Sequence, residues 1–213
     1  MPKVALIFPY FRTRSFNEML FPPLGAANLT AQLRRFGIET RIFDCTFGSF
    51  TQLQKDLNSY KPDLVGIYSM VTLSRNTFRI AEMVRAAFPE SMLVAGGPLP
   101  TLYPERYSQQ FDSVFRGEVD LSFPKFCRDF FEQGGSRQKL MELPLETYHG
   151  LFIHNHKLQV ENPSIHYKEQ DIQLFPLPDR SSFDHAAYQK VWQEKNGSVL
   201  LTVTSTPKWV IPR

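Results

Sequence analysis

Three short segments carry residue types suited to holding a ligand. Ser69-Met70-Val71-Thr72 sets two hydroxyls at the end of an apolar run, and Gly96-Gly97-Pro98 follows another such run. Two successive glycines remove two β-carbons, so a flat or bulky ligand can approach the backbone closely. Arg116-Gly117-Glu118 places opposite charges on either side of a glycine, able to pair and brace their loop or to contact polar groups of a cofactor. Pro9 and Tyr10 open a fourth segment, running to Phe21. Each segment alone is compatible with ordinary turn chemistry; their convergence on one edge of a sheet argues for a site. Other reactive residues are less well placed. His154 and His156 share a strand face but lack a nearby Cys or Asp, so the pair reads as a solvated turn. Cys45 and Cys127 read as packing residues, and Asp179-Arg180 as an anchor for its segment. No Ser/His/Asp or Cys/His set and no carboxylate pair is supported by position.

The elements that must position these loops follow from the apolar pattern. Val4–Phe8 is a continuous apolar run, as in a strand buried on both faces. Pro22-Pro23 opens a helix to about Phe36, striped by Leu29, Leu33 and Phe36 and stopped by Gly37. Strands are expected at Thr40–Phe43, Leu64–Tyr68, Met92–Ala95 and Ser113–Phe115. Helices are expected after Ser49, after Thr72 or Ser74, and after Asp120, each of these acting as an N-cap. Five strands alternating with helices predict an α/β fold: a doubly wound, five-stranded parallel sheet in the flavodoxin-like order 2-1-3-4-5. Ligands bind such sheets beyond the carboxyl ends of the strands, where the winding reverses. Residues 1–135 read as this domain. Residues 136–213 read as an appendage: a hairpin of Leu151–His154 and Lys157–Val160, a Pro-containing segment Asn162–Arg180, a short helix near His185–Glu194 and a strand at Val199–Val203.

Several function classes are excluded. Asp44 ends the second strand as a ribose-binding acid would, but Pro9–Phe21 contains no glycine, so the dinucleotide fingerprint is missing. A phosphate-cradling Gly-x-x-x-x-Gly-Lys loop is also missing. Flavin mononucleotide needs a hydroxyl-rich first loop, which Thr13 and Ser15 supply poorly; a flavin or nucleotide stays as the alternative ligand. A phospho-accepting receiver needs acids after the first and third strands, where Pro9-Tyr10 and Ser69-Met70 stand. The net charge of +3, without a basic block, implies no nucleic acid. No apolar run reaches the roughly 20 residues of a membrane span, and the N-terminal run is too short for a signal peptide. Two dissimilar cysteines suggest a reducing compartment, so a cytoplasmic protein is expected.

Ile7-Phe8-Pro9, Pro22-Pro23-Leu24-Gly25, Leu64-Val65-Gly66-Ile67 running into Ser69-Met70-Val71-Thr72, Gly96-Gly97-Pro98 and Arg116-Gly117-Glu118 occur in order at sensible spacings. Together they resemble the cobalamin-binding domain of cobalamin-dependent radical S-adenosylmethionine enzymes. The hairpin around Gly150–Val160, Phe175-Pro176-Leu177-Pro178-Asp179-Arg180 and Val199–Ser205 resemble the linker into that family's catalytic barrel. The resemblance implies cobalamin as cofactor, contacted by Pro9, Tyr10, Ser69, Met70, Val71, Thr72, Gly96, Gly97, Pro98, Arg116, Gly117 and Glu118. It places the displaced nucleotide tail along Ser69, Thr72 and Gly96-Gly97, with Tyr10, Met70 or Leu99 covering the corrin.

Two departures refine what the resemblance implies. The family carries Cys-x-x-x-Cys-x-x-Cys after the strand resembling Val199–Ser205, whereas Thr206-Pro207-Lys208-Trp209 stands here. Without three thiolates there is no iron–sulfur cluster. The expectation is a cobalamin-binding module that is not catalytic alone, separated from its barrel by truncation, frameshift or split-gene design, and acting with a separate radical S-adenosylmethionine chain. Many cobalamin domains also supply a lower histidine ligand from the first loop, but all five histidines lie at or beyond His149. The resemblance thus implies cobalt without a protein histidine. An unpartnered strand at Val199–Val203 would favour a weak homodimer.

Overall fold

A computed structural model describes residues 1–13 and 20–199. The elements in chain order are β1 (Lys3–Phe8), α1 (Leu24–Arg35), β2 (Glu39–Asp44), α2 (Phe50–Tyr60), β3 (Leu64–Tyr68), α3 (Ser74–Ala87), β4 (Met92–Gly96), α4 (Pro98–Leu102), α5 (Pro104–Ser108), β5 (Ser113–Phe115), α6 (Ser122–Glu132), β6 (Leu151–His154), β7 (Gln159–Glu161), α7 (Glu169–Ile172) and α8 (His185–Asn196). The strands form one sheet in the order β2-β1-β3-β4-β5-β6-β7. The first five are parallel, in the doubly wound order expected, and register pairs Phe8 with Asp44, Tyr68 with Gly96 and Gly96 with Phe115.

The sheet has seven strands rather than five. The hairpin read as an appendage pairs antiparallel with β5, Val114 opposite Phe152 and Phe115 opposite Leu151. The reason is the edge: a three-residue β5 would otherwise present unpaired backbone groups, and an antiparallel hairpin satisfies them without a crossover helix. Its side chains join the main core. Leu151 and Ile153 pack in the same cluster as Phe115, Phe126 and Tyr148.

Strand residues alternate between two helical layers, as the pleat requires. Ala5, Ile7, Val65, Ile67, Leu93 and Ala95 face the cluster containing Leu57, Ile80 and Tyr107 of α2, α3 and α5. Val4, Leu6, Leu64, Met92, Val94 and Phe115 face Leu33 of α1 and Phe123, Phe126 and Phe130 of α6.

Helix ends show where local sequence rules held. Ser49 caps α2, its hydroxyl accepting from the Gln52 N–H at 3.2 Å. Neither Thr72 nor Ser74 caps α3; the chain enters through a 3-10 turn at Val71–Leu73, and Leu73 holds the cap position without a side-chain bond. Asp120 does not cap α6 either, since Leu121 occupies that position and the Asp120 carboxyl bonds to the Asn28 side chain of α1. The stretch between β4 and β5 folds into α4 and α5, each with Pro at its start, where the missing N–H has no partner to lose.

The segment after β7 lies back on the domain. Asp179 accepts from the Arg34 guanidinium and from Ser181, and its own N–H bonds to the Ala27 carbonyl at 3.1 Å. Tyr188 of α8 donates to Asp44 at 2.7 Å and lies 2.9 Å from the Thr46 hydroxyl. The strand expected at Val199–Val203 falls, from Leu200 onward, outside the described residues.

Candidate functional site

A cavity of about 520 Å³ opens at the carboxyl ends of the central strands, on the face covered by α1 and α6. Its floor consists of the carboxyl-terminal residues of four neighbouring strands, among them Leu6 and Phe8, Gly66 and Tyr68, Val94 and Gly96, and Phe115, with Gly117 beyond it. Phe21 to Gly25, at the start of α1, form one wall, and Val119, Asp120 and Phe123, leading into α6, form another. The volume falls within the roughly 300–1,000 Å³ of small-molecule sites. The lining is apolar apart from Tyr68, Asp120 and exposed backbone.

Two glycines make the floor flat. At Gly96 an added β-carbon would meet nothing nearer than the Phe115 carbonyl at 3.8 Å, so its absence leaves room rather than relieving a clash. Gly66 is tighter, with a β-carbon falling 3.0 Å from the Leu6 side chain. Gly97 has a different reason for being glycine. Its backbone sits at φ 108° and ψ −177°, and a β-carbon would lie 2.5 Å from the Ser69 carbonyl. That conformation is essentially open to glycine alone.

Of the residues singled out from sequence, Met70, Gly96, Gly97 and Gly117 line this cavity. Ser69 does not. It is fully buried, its hydroxyl 2.7 Å from the Tyr107 hydroxyl and accepting from Thr77 at 3.1 Å, among the packing of the opposite helical layer. Thr72, Val71 and Pro98 are exposed, Val71 by 73%. The Pro9 carbonyl accepts from Asn76 at 3.0 Å, and Tyr10 packs beside Leu20, Tyr188 and Val191. Leu99 is buried in the layer of α2 and α3. Arg116 and Glu118 turn to the segment after the hairpin instead of to each other. Arg116 donates to Glu161 at 2.9 Å and to the Asn162 carbonyl at 2.6 Å, and Glu118 accepts from the Tyr167 N–H at 2.7 Å. Asp120 and Gly66 were missed as site residues. The signal for Gly66 was a glycine inside a strand, which marks close backbone approach.

The electrostatics of the cavity are simple. Burial, reinforced by Glu118, raises the pKa of Asp120, against hydrogen bonds from its own backbone and from Asn28. Burial likewise raises that of Tyr68. Cys45 and Cys127 are both buried free thiols pushed upward by desolvation, so neither is a ready nucleophile. Among the described residues no group of three His, Cys, Asp or Glu side chains is placed to hold a metal ion, and no helix is long and apolar enough to cross a membrane.

Comparison with known proteins bears on this geometry. No curated protein sequence matches the chain. Three solved structures of a cobalamin-dependent S-adenosylmethionine radical enzyme, OxsB, share its fold. The form with aqua-cobalamin and S-adenosylmethionine bound aligns with a TM-score of 0.64 at 18% identity, and the form with aqua-cobalamin alone with 0.63 at 18%. The apo form aligns with 0.65 at 16%. Each alignment covers 84% of this chain and 24% of the enzyme, so the chain spans about a quarter of that protein's length. A sequence model of the B12 binding domain matches residues 18–126, from the loop before α1 into α6, and so takes in most of the cavity's lining. With a doubly wound sheet, a flat-floored apolar cavity at its switch point and that match across half its length, the chain belongs to the B12-binding domain family.

Proposed function

We propose that the chain binds cobalamin with its nucleotide tail released from cobalt and lodged in the cavity, and with no protein histidine on the metal. The carrying observation is the floor: neighbouring strands β3 and β4 present Gly66 and Gly96, beside Phe8 and between walls that include Phe21 and Phe123, a slot suited to a planar aromatic group. All five histidines lie at or beyond His149 and none stands in the loop after β1, which supports cobalt without a protein histidine. Met70, Val71, Leu102 and Tyr103 are exposed at the sheet's carboxyl edge and offer apolar surface to the macrocycle. Cobalamin when bound supplies a redox-active cobalt able to carry a methyl group; the residues described here hold and orient it. A flavin reading is weaker, since flavin mononucleotide needs a hydroxyl-rich first loop, which Thr13 and Ser15 supply poorly. The catalytic part, in this reading, is a radical S-adenosylmethionine unit elsewhere, in a separate chain or in a longer protein.

The test is co-elution of hydroxocobalamin with the protein in gel filtration. Corrin bands should travel with the wild type and be lost from Gly96→Leu, whose side chain enters the cavity. The reduced cob(II)alamin complex should lack nitrogen superhyperfine splitting in its electron paramagnetic resonance spectrum. Absence of co-eluting colour overturns the ligand, and nitrogen splitting overturns the histidine-free arrangement.

A further inference from the structure

Among the described residues one carboxyl group lines the cavity, that of Asp120, and it caps no helix. Asp120 stands where a helix cap would be expected, yet α6 begins at Ser122 with Leu121 at the cap position and no side-chain bond. The side chain instead lines the cavity and is held from α1 by the amide of Asn28. Among the described residues, the titratable groups acting on it are Glu118, on its own loop, and Tyr167, whose hydroxyl accepts from the Leu121 N–H at 2.9 Å. Neither is a cation. A half-buried carboxyl against an apolar wall, with its own backbone and the Asn28 side chain as partners, is disfavoured when ionised, and it has acceptor positions beyond those two bonds.

We propose that Asp120, oriented by Asn28, is the recognition group of the cavity for a flat heteroaromatic base that presents one free ring nitrogen. In the cobalamin reading, on which this inference rests, that base is the benzimidazole at the end of the nucleotide tail. The chemistry is reciprocal. A neutral ring nitrogen offers a lone pair and a protonated one offers an N–H, while a carboxyl offers an O–H when protonated and lone pairs when ionised. One proton between the two groups satisfies both in either arrangement. Burial raises the Asp120 pKa, which favours the protonated carboxyl relative to a solvent-exposed one. Asn28 holds the carboxyl without neutralising it, and apart from Tyr68 and exposed backbone the remaining walls contribute shape and apolar contact. Asp120 thus distinguishes corrinoids that carry a nitrogenous base from those that do not.

The experiment compares two probes, hydroxocobalamin and aquocobinamide, which lacks the nucleotide tail. Affinities are measured by visible titration for the wild type, Asp120→Ala and Asp120→Asn, with thermal melts to establish folding. Asp120→Ala should weaken hydroxocobalamin by about tenfold or more and leave aquocobinamide within about twofold. Asp120→Asn, which keeps the shape and an N–H donor, should retain most of the hydroxocobalamin affinity. Equal effects on both probes, or none on either, overturn the role of Asp120 while the cobalamin reading stands. Failure of the wild type to bind either probe overturns that reading and the inference with it.

Discussion

Gly96 and Gly97 are adjacent in sequence and should respond oppositely to the same substitution. Alanine at Gly97 must either keep φ 108° and ψ −177° or move the chain, and its β-carbon begins 2.5 Å from the Ser69 carbonyl and 3.0 Å from the Tyr68 ring. The backbone conformation alone costs about 1–3 kcal/mol for a residue with a β-carbon. The carbonyl is held in place, because Ser69 donates its N–H to the Gly96 carbonyl at 2.8 Å and its C=O accepts from Leu99. A total of about 2–4 kcal/mol follows for Gly97→Ala. At this chain length each kcal/mol lowers the melting temperature by about 2–4 °C. A fall of roughly 4–16 °C is expected. Gly96→Ala meets only ordinary contact at 3.8 Å. Replacing this glycine at the end of β4 restricts the unfolded chain, so the variant should hold or gain about 0.5–1 kcal/mol. Urea unfolding followed by circular dichroism, with a thermal melt, reads both. Equal loss in the two variants would refute the assignment of one glycine to the fold and the other to the cavity.

Other perturbations probe the surroundings of the site. Burial is the main cause that raises the hydroxyls of Tyr60, Tyr148 and Tyr188 well above their ordinary value. A tyrosine that keeps its proton longer when folded contributes stability that is complete below its unfolded pKa near 10 and is lost as pH rises beyond it. The urea midpoint should therefore fall steeply above about pH 10, and less so in Tyr188→Phe. At neutral pH, Tyr188→Phe should cost about 1–2 kcal/mol in urea unfolding, since Asp44 and Thr46 lose a shared partner. Trp192 donates to the Leu20 carbonyl at 2.7 Å and its ring lies 5.6 Å from Phe21, a cavity wall. Its fluorescence should be quenched on adding hydroxocobalamin, and Trp192→Phe should remove most of that quenching. Cys45 and Cys127 should resist a thiol-specific reagent at neutral pH until the protein unfolds, with modification tracking the urea transition.

Much of this protein is legible from its residues in order. Continuous apolar runs such as Val4–Phe8 and Leu64–Tyr68 determine strands buried on both faces, and the helical stripes between them require parallel crossovers. From these the order of the first five strands and the edge where ligands bind follow, because both depend on local periodicity and on the handedness of connections. The ordered motifs from Ile7-Phe8-Pro9 to Arg116-Gly117-Glu118 point to the family in the same way. What sequence did not determine is which face of the sheet holds the cavity. A doubly wound sheet is covered on both sides, so alternation says that Ser69 and Gly96 differ in direction without saying which of them meets a ligand. The packing of α1 and α6 decides that in favour of Gly66, Gly96 and Asp120, and the layer containing Tyr107 takes the Ser69 hydroxyl. The hairpin shows the same division. Its strands are written in Leu151–His154, but its place beside β5 depends on an open edge contributed by residues nearly forty positions earlier in the chain. Long-range contacts of this kind leave no periodic signal, because they are selected by the geometry of the assembled layers and not by any one segment.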